Sequence, residues 1–235
     1  MLSPKHTVTL QAAYVLHTRK YRETSIIADI FTEEFGVLSV LAKGVRKQKS
    51  RLASVLRCFT PLQISFTGKS DLKILTGAEV IPPITNLPGR AMYCGFYINE
   101  LIKHFLHKDD AQPEIFQHYR NCLSKLAVEQ ELETALRLFE LELLENVGYG
   151  LQLEHDGITG KAIEQHKRYH YQQDLGPIET ADGFIRGETL QALAKKQLSN
   201  KHTYREAKRL MRQQIDFHLH GRELKSRSLI RQSIR

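Results

Sequence analysis

The hydrophobic pattern of this chain changes period once, at "IPPITNLPGR" (81–90), and no other feature constrains the fold as strongly. Before it, five short runs rich in β-branched and aromatic residues read as strands: "TVTLQAAYVLHT", "SIIADIFT", "VLSVLA", "LQISFT" and "LKILTGAEV". Turn signals at Glu34–Gly36 and Gly68–Asp71, and one long polar connection, separate them. Five short strands over residues 7–80 suit a small closed barrel better than an open sheet, and a five-stranded Greek-key barrel of the OB type is expected. The stretch 81–90 holds three of the seven prolines, which serve neither a central strand nor a helix interior. A boundary there gives an N-terminal domain over 1–80 and a second domain over 81–235.

After the prolines the period is helical. In "AMYCGFYINELIKHFLH" (91–107) Cys94, Tyr97, Ile98, Leu101, Ile102 and Phe105 share one face. A second helix starts near Pro113 and runs to about Leu126. A third aligns Leu136, Phe139, Leu143 and Val147 and stops at Gly148, with Glu131, Glu142 and Glu145 on its other face. Residues 151–187 lose the period and read as a small irregular, partly β insertion. Helices return over about 188–198 and 203–219. The fold class is therefore α+β: an OB-type barrel, then an α-helical domain with a small insertion.

Composition narrows the partners. Of 235 residues, 41% are hydrophobic and 26% charged, which describes a folded globular chain, and the formal charge of +8 favours anionic partners. Three widely spaced cysteines, Cys58, Cys94 and Cys122, form no CxxC and read as buried thiols of a cytoplasmic protein. No apolar run approaches a membrane span, and the N-terminus lacks a signal-peptide core.

Catalytic signatures fail one by one. "TGKS" (67–70) resembles the end of a phosphate-binding loop, but Gln63 stands where that motif needs Gly, and a strand follows where a helix should. A hairpin turn explains it. His166 and His170 have an i, i+4 spacing, without the paired cysteines or carboxylate a metal site needs. Asp29, Glu33 and Glu34 are too weak a cluster for a metal-dependent nuclease. No catalytic residue, metal ligand or cofactor is expected.

Two basic elements carry more weight. "AKGVRKQKSR" (42–51) packs Lys43, Arg46, Lys47, Lys49 and Arg51 into ten positions, inside an acid-free run from Phe35 to Ser70 that adds Arg57. Such a run can grip phosphates and release their condensed counterions; the alternative is a solvated loop. The second lies in residues 201–235, with ten Lys/Arg against three acids. Arg205, Lys208, Arg209 and Arg212 form one helical stripe, with Ala207, Leu210, Met211 and Phe217 opposite, and Arg222, Lys225, Arg227, Arg231 and Arg235 follow. Two basic surfaces, one on an OB-type barrel, favour a nucleic-acid binder. An RNA-binding OB protein fits these features as well. Tyr14, Phe31, Phe59 and Phe66 are expected mostly to fill the barrel.

The blocks "AYVLHTRKYRETSIIADIFTEEFGVLSVLAKGVRKQKS", "YINELI", "LRLFELELLENVGYG" and "AKRLMRQQIDFHLHGRELKSR" resemble, in order, those of the RecO family of bacterial recombination mediators. The resemblance runs from about residue 10 to 230. It implies binding of single- and double-stranded DNA, annealing of complementary strands, and docking on the acidic C-terminal tail of single-stranded DNA-binding protein (SSB). It also implies work with RecR, and in many bacteria RecF, to load RecA during repair at the nucleoid. By position it assigns DNA contacts to Lys43, Arg46, Lys47, Lys49 and Arg51, and DNA or tail contacts to Lys225 and Arg227. For the SSB tail it points to Arg137 with Leu136 and Leu141, against the alternative that Arg137 pairs within its own helix with Glu133 or Glu140. Some members carry a zinc finger in the insertion; no cysteine follows Cys122 here.

Overall fold

The structure, a computed structural model, describes residues 7–84, 86–128 and 131–232, with side chains described to residue 230. Five strands form the closed barrel: β1 (Thr7–Tyr21), β2 (Ser25–Thr32), β3 (Gly36–Ala42), β4 (Pro61–Thr67) and β5 (Leu72–Val80). Their order around the barrel is β1-β2-β3-β5-β4, antiparallel except for the β3–β5 pair. One long strand closes the circle, because β1 pairs β4 through its first half and β2 through its second. Irregularities between Val8 and Gln11 and between Val15 and His17 bend it between the two partners. Alternation along β4 turns Leu62, Ile64 and Phe66 inward, where they meet Val15, Ile30, Leu38 and Val40. This is the OB barrel expected from the sequence.

Strands β2 and β3 are buried on both faces, so something also covers the barrel wall. The cover is α2 (Arg90–Phe105) and α3 (Pro113–Leu126). Phe31 and Tyr14 on the outer wall meet Phe116 and Tyr119 of α3 at centroid distances of 5.2–5.9 Å. Asn99 of α2 is buried with both ends of its amide used: Nδ2 donates to Leu16 O (2.9 Å) and Oδ1 accepts from Tyr119 Oη (2.6 Å). That junction fastens both helices to the barrel. Tyr14 and Phe31 thus fill the barrel–helix seam rather than the barrel interior.

The compact units accordingly divide elsewhere than at 80/81. One comprises residues 1–127 with 225–235, the other residues 128–224. The prolines mark a change of secondary structure, while aromatic packing and the Asn99 junction carry the first unit through α3. Its last element is α7 (Lys225–Gln232), which returns to α2. Glu100 of α2 receives the start of α7: Oε1 accepts from Lys225 N (3.0 Å), and Oε2 accepts from Ser226 N (2.9 Å) and Ser226 Oγ (2.6 Å). A carboxylate at a helix N-terminus satisfies donors that lack partners within the helix.

The second unit contains α4 (Leu132–Asn146), a three-stranded sheet of β6 (Arg168–Gln172), β7 (Gly176–Glu179) and β8 (Ile185–Arg186), and α5 (Gly187–Ala194) and α6 (Lys201–His218). The expected irregular insertion is this small sheet with its leading loop. Asp156 organises that loop. Its carboxylate is 5% exposed and accepts from Ile158 N, Thr159 N, Thr159 Oγ1 and Glu179 N at 2.7–3.1 Å. Burial alone would push the Asp156 pKa up; the hydrogen bonds from Thr159, Glu179 and Ile158 outweigh it and hold the group at about 2. The tie from Asp156 to Glu179 N spans the loop and β7 and cross-links the sheet.

Candidate nucleic-acid interface

The basic stretch leaves the barrel where β3 ends. Ala42 still pairs with Ile26, after which the chain turns, with Gly44 and Lys49 at positive φ. Lys47 N donates to Gly44 O and Ser50 N to Lys47 O, so this connection is a series of turns rather than an open arm. A short helix, α1 (Arg51–Val55), follows. Val45 and Leu56 are buried in the barrel core, with Leu52 and Val55 packed against it. These four anchors oblige the intervening cations to point outward: Lys43, Arg46, Lys47, Lys49, Arg51 and Arg57 are all exposed.

The loop is also clamped to the β1–β2 hairpin tip. Arg46 donates through its backbone N to Thr24 O (2.9 Å) and through Nη1 to Arg22 O (3.1 Å). That contact brings in cations the sequence reading passed over. Arg19, Lys20 and Arg22 are exposed on the hairpin, and the Arg22 guanidinium lies 5.4 Å from the Tyr21 ring centroid. The available signal was β1 continuing past Thr18 into "RKYRET", a basic turn at the end of the barrel from which β3 delivers the loop. Among these residues Glu23 is the one acid. The result is one cationic rim with its backbone geometry fixed.

The second basic element is more compensated. Arg205, Lys208, Arg209 and Arg212 are exposed along α6, and Ala207, Leu210 and Met211 are buried opposite them, as the period predicts. Lys208 Nζ lies 2.7 Å from Glu133 Oε1, Arg212 Nε 3.9 Å from Asp216, and the Arg209 guanidinium 4.3 Å from the Phe184 ring centroid. Phe217 departs from the expected apolar face: it is 52% exposed. Its phase matches Leu210, but it sits in the last turn of α6, against His218 and His220 instead of core. In α7, Lys225 is exposed, whereas Arg227 is half-buried with its guanidinium 5.9 Å from the Tyr97 ring centroid. Arg231 and Arg235 lie outside the residues whose side chains are described.

Arg137, Leu136 and Leu141, expected from the resemblance to receive the SSB tail, are buried, and Arg137 makes the in-helix pairing that was the alternative. Their exposures are 4, 6 and 5%. Arg137 Nη2 lies 2.6 Å from Glu140 Oε1, and Glu140 is 1% exposed, so the guanidinium is held inside its own helix by the i+3 carboxylate. Arg137 Nε is buried without a hydrogen-bond partner among the described residues. The apolar stripe of α4 is wide enough to carry this ion pair into the core.

The remaining candidates resolve simply. "TGKS" is the turn between β4 and β5. His166 lies in a turn and His170 in β6, so their spacing places no helix face, and the described residues contain no group of three His, Cys, Asp or Glu that could hold a metal ion. The insertion does not fit a zinc finger: it has no cysteine, and its best-placed carboxylate, Asp156, is occupied by protein donors. Cys94 and Cys122 are buried, and burial pushes the Cys58 thiol up to about 11. No described helix is long and apolar enough to cross a membrane.

A closed OB barrel with a clamped cationic rim, joined to helices, defines an OB-fold protein with a strongly basic surface at one end of the barrel. Comparison with known proteins carries this further. The family profile described as Recombination protein O N terminal matches residues 7–84, and that described as Recombination protein O C terminal matches residues 88–228. The DNA repair protein RecO of Methylococcus capsulatus is 45% identical over 228 residues, covering 96% of this chain and 94% of the relative. Those of Nitrosococcus oceani and Haemophilus influenzae are 44% and 41% identical, covering 95% and 96% of this chain and 93% and 97% of their own. The chain belongs to the RecO family of DNA repair proteins.

Proposed function

We propose that this protein is a recombination mediator that holds single- and double-stranded DNA by its backbone, anneals complementary strands coated with SSB, and with RecR promotes loading of RecA, RecF joining where the organism uses it. The observation that carries the reading is the rim, where Arg46 locks the loop cations to the hairpin cations at one end of the barrel. Phosphates neutralised there release counterions, which drives binding without regard to sequence. Annealing requires two polyanions to approach, and cations on the barrel and on α6 lower that repulsion. No bond-making step enters. Recruitment would come from the acidic SSB tail; Arg137 can join in that only if Glu140 yields its hold.

The test is salt-dependent binding of a single strand by the whole protein and by a variant with Lys43, Arg46, Lys47, Lys49 and Arg51 replaced by Ala. If about six phosphates are engaged, the log–log slope is roughly −4, and it flattens to about −1 in the variant. An unchanged slope overturns the rim as the DNA contact. Annealing on SSB-coated strands, with and without the SSB tail, tests recruitment: equal rates on both would remove it.

A further inference from the structure

Arg22 sits on the cationic rim in a conformation that has to be held. Strand β1 ends at Tyr21, which pairs with Ser25 of β2, so Arg22, Glu23 and Thr24 make the whole turn. Arg22 takes φ +49°, a left-handed backbone that glycine adopts without strain and arginine does not. Arg46 braces the turn at two points. Its Nη1 donates to Arg22 O (3.1 Å) and its backbone N to Thr24 O (2.9 Å). The exposed Arg22 side chain lies over the half-buried ring of Tyr21, 5.4 Å from its centroid. Among the described residues no carboxylate pairs with it, and Glu23, the one acid of the turn, is exposed. The ring is therefore what positions the guanidinium.

Attraction to phosphate needs charge alone, and the lysines of the neighbouring loop supply that on flexible stems. A guanidinium is also flat. Resting over a ring, it keeps its outer side for a second planar group, at little further cost in side-chain freedom. The planar groups of a polyanion are its bases, and a duplex hides their faces in its own stack. An unpaired strand leaves them free to lie on an aromatic ring or an arginine plane. Cations for the flanking phosphates stand close by: Arg46 touches the Arg22 carbonyl, and Arg19 and Lys20 are exposed on the strand leading into the turn. We propose that Arg22, carried on the ring of Tyr21, stacks on an unpaired base and gives the rim a preference for single strands over duplex. This deepens the DNA-binding reading of the rim and rests on it.

Arg22→Lys tests this, because it keeps the charge and removes the plane. The whole protein and the variant are titrated with labelled oligothymidylate, an abasic strand of equal length and a duplex, following anisotropy over a range of salt. The stack predicts that Arg22→Lys weakens oligothymidylate binding about tenfold. The abasic strand and the duplex should bind as they do to the parent, and every salt slope should stay the same. Tyr21→Leu, which removes the ring and keeps the charge, should reproduce this selective loss. If Arg22→Lys binds all three as the parent does, or loses all three equally, the stack is overturned while the parent's salt-dependent binding leaves the rim reading standing. No binding by the parent overturns both.

Discussion

The Arg137–Glu140 pair makes the sharpest demand on the structure. Both side chains are almost fully buried, at 4% and 1% exposure, and the contact is 2.6 Å. Replacing Arg137 with Met leaves a carboxylate in the core without its cation, a change that costs about 3–5 kcal/mol. Replacing both residues with Met removes the desolvation problem together with the attraction and is neutral or stabilising in comparable settings. In a unit the size of residues 128–224, each 1 kcal/mol moves the melting midpoint by about 4–8 °C. Arg137→Met should therefore lower the melting midpoint of this unit by about 12 °C or more, and the double variant should recover most of the loss. Hydrogen exchange of the α4 amides reports on the unit directly, and binding of an acidic SSB-tail peptide measured on the same samples supplies the contrast. If Arg137→Met melts as the parent does but loses the peptide, the guanidinium serves a ligand and not the core, and the burial argument is refuted.

Two further outcomes are expected. Asp156 has a folded pKa of about 2, below its unfolded value, so its contribution is complete above about pH 4 and disappears as pH falls towards 2. Asp156→Asn should cost on the order of 1–2 kcal/mol at neutral pH and flatten the acid limb of urea unfolding in that window; an unchanged limb would remove Asp156 as the organiser of the insertion. Glu100→Ala strips the acceptor from Lys225 N, Ser226 N and Ser226 Oγ, costing about 1–2 kcal/mol of α7 docking. Exchange should quicken in α7 while the barrel amides stay protected, and uniform loss across both would contradict a local clasp.

Much of this was legible in the sequence. The run "LQISFT" reads as a strand and lies within β4, and helical spacing placed α2 and α3 within a residue or two. The outward cations of residues 43–57 followed from charge density alone, because six charges without acids have no buried solution. What stayed hidden depends on partners distant in sequence, or on which side of a stripe a charge falls. For Arg137 the spacing offered Glu133 or Glu140 as partner, but did not show that the pair with Glu140 would be buried. The apolar content of "KSRSLIRQ" is too thin to announce a docked helix, and its acceptor, Glu100, lies 125 positions away. Arg46 joins the hairpin cations to the rim through the carbonyls of Thr24 and Arg22, a pairing no local pattern encodes.

The return of α7 to α2 gives the order of synthesis a physical consequence. The barrel and its two covering helices leave the ribosome first, but the helix that completes their unit arrives only after residues 128–224 have been made. Until then Glu100 waits with its carboxylate in water, and the face of α2 beneath α7 stays open. Nascent chains should pass through a stage in which the barrel is formed and this seam is exposed to chaperones and proteases. A frameshift late in the gene would leave the protein there, with the cationic rim intact and the seam never closed.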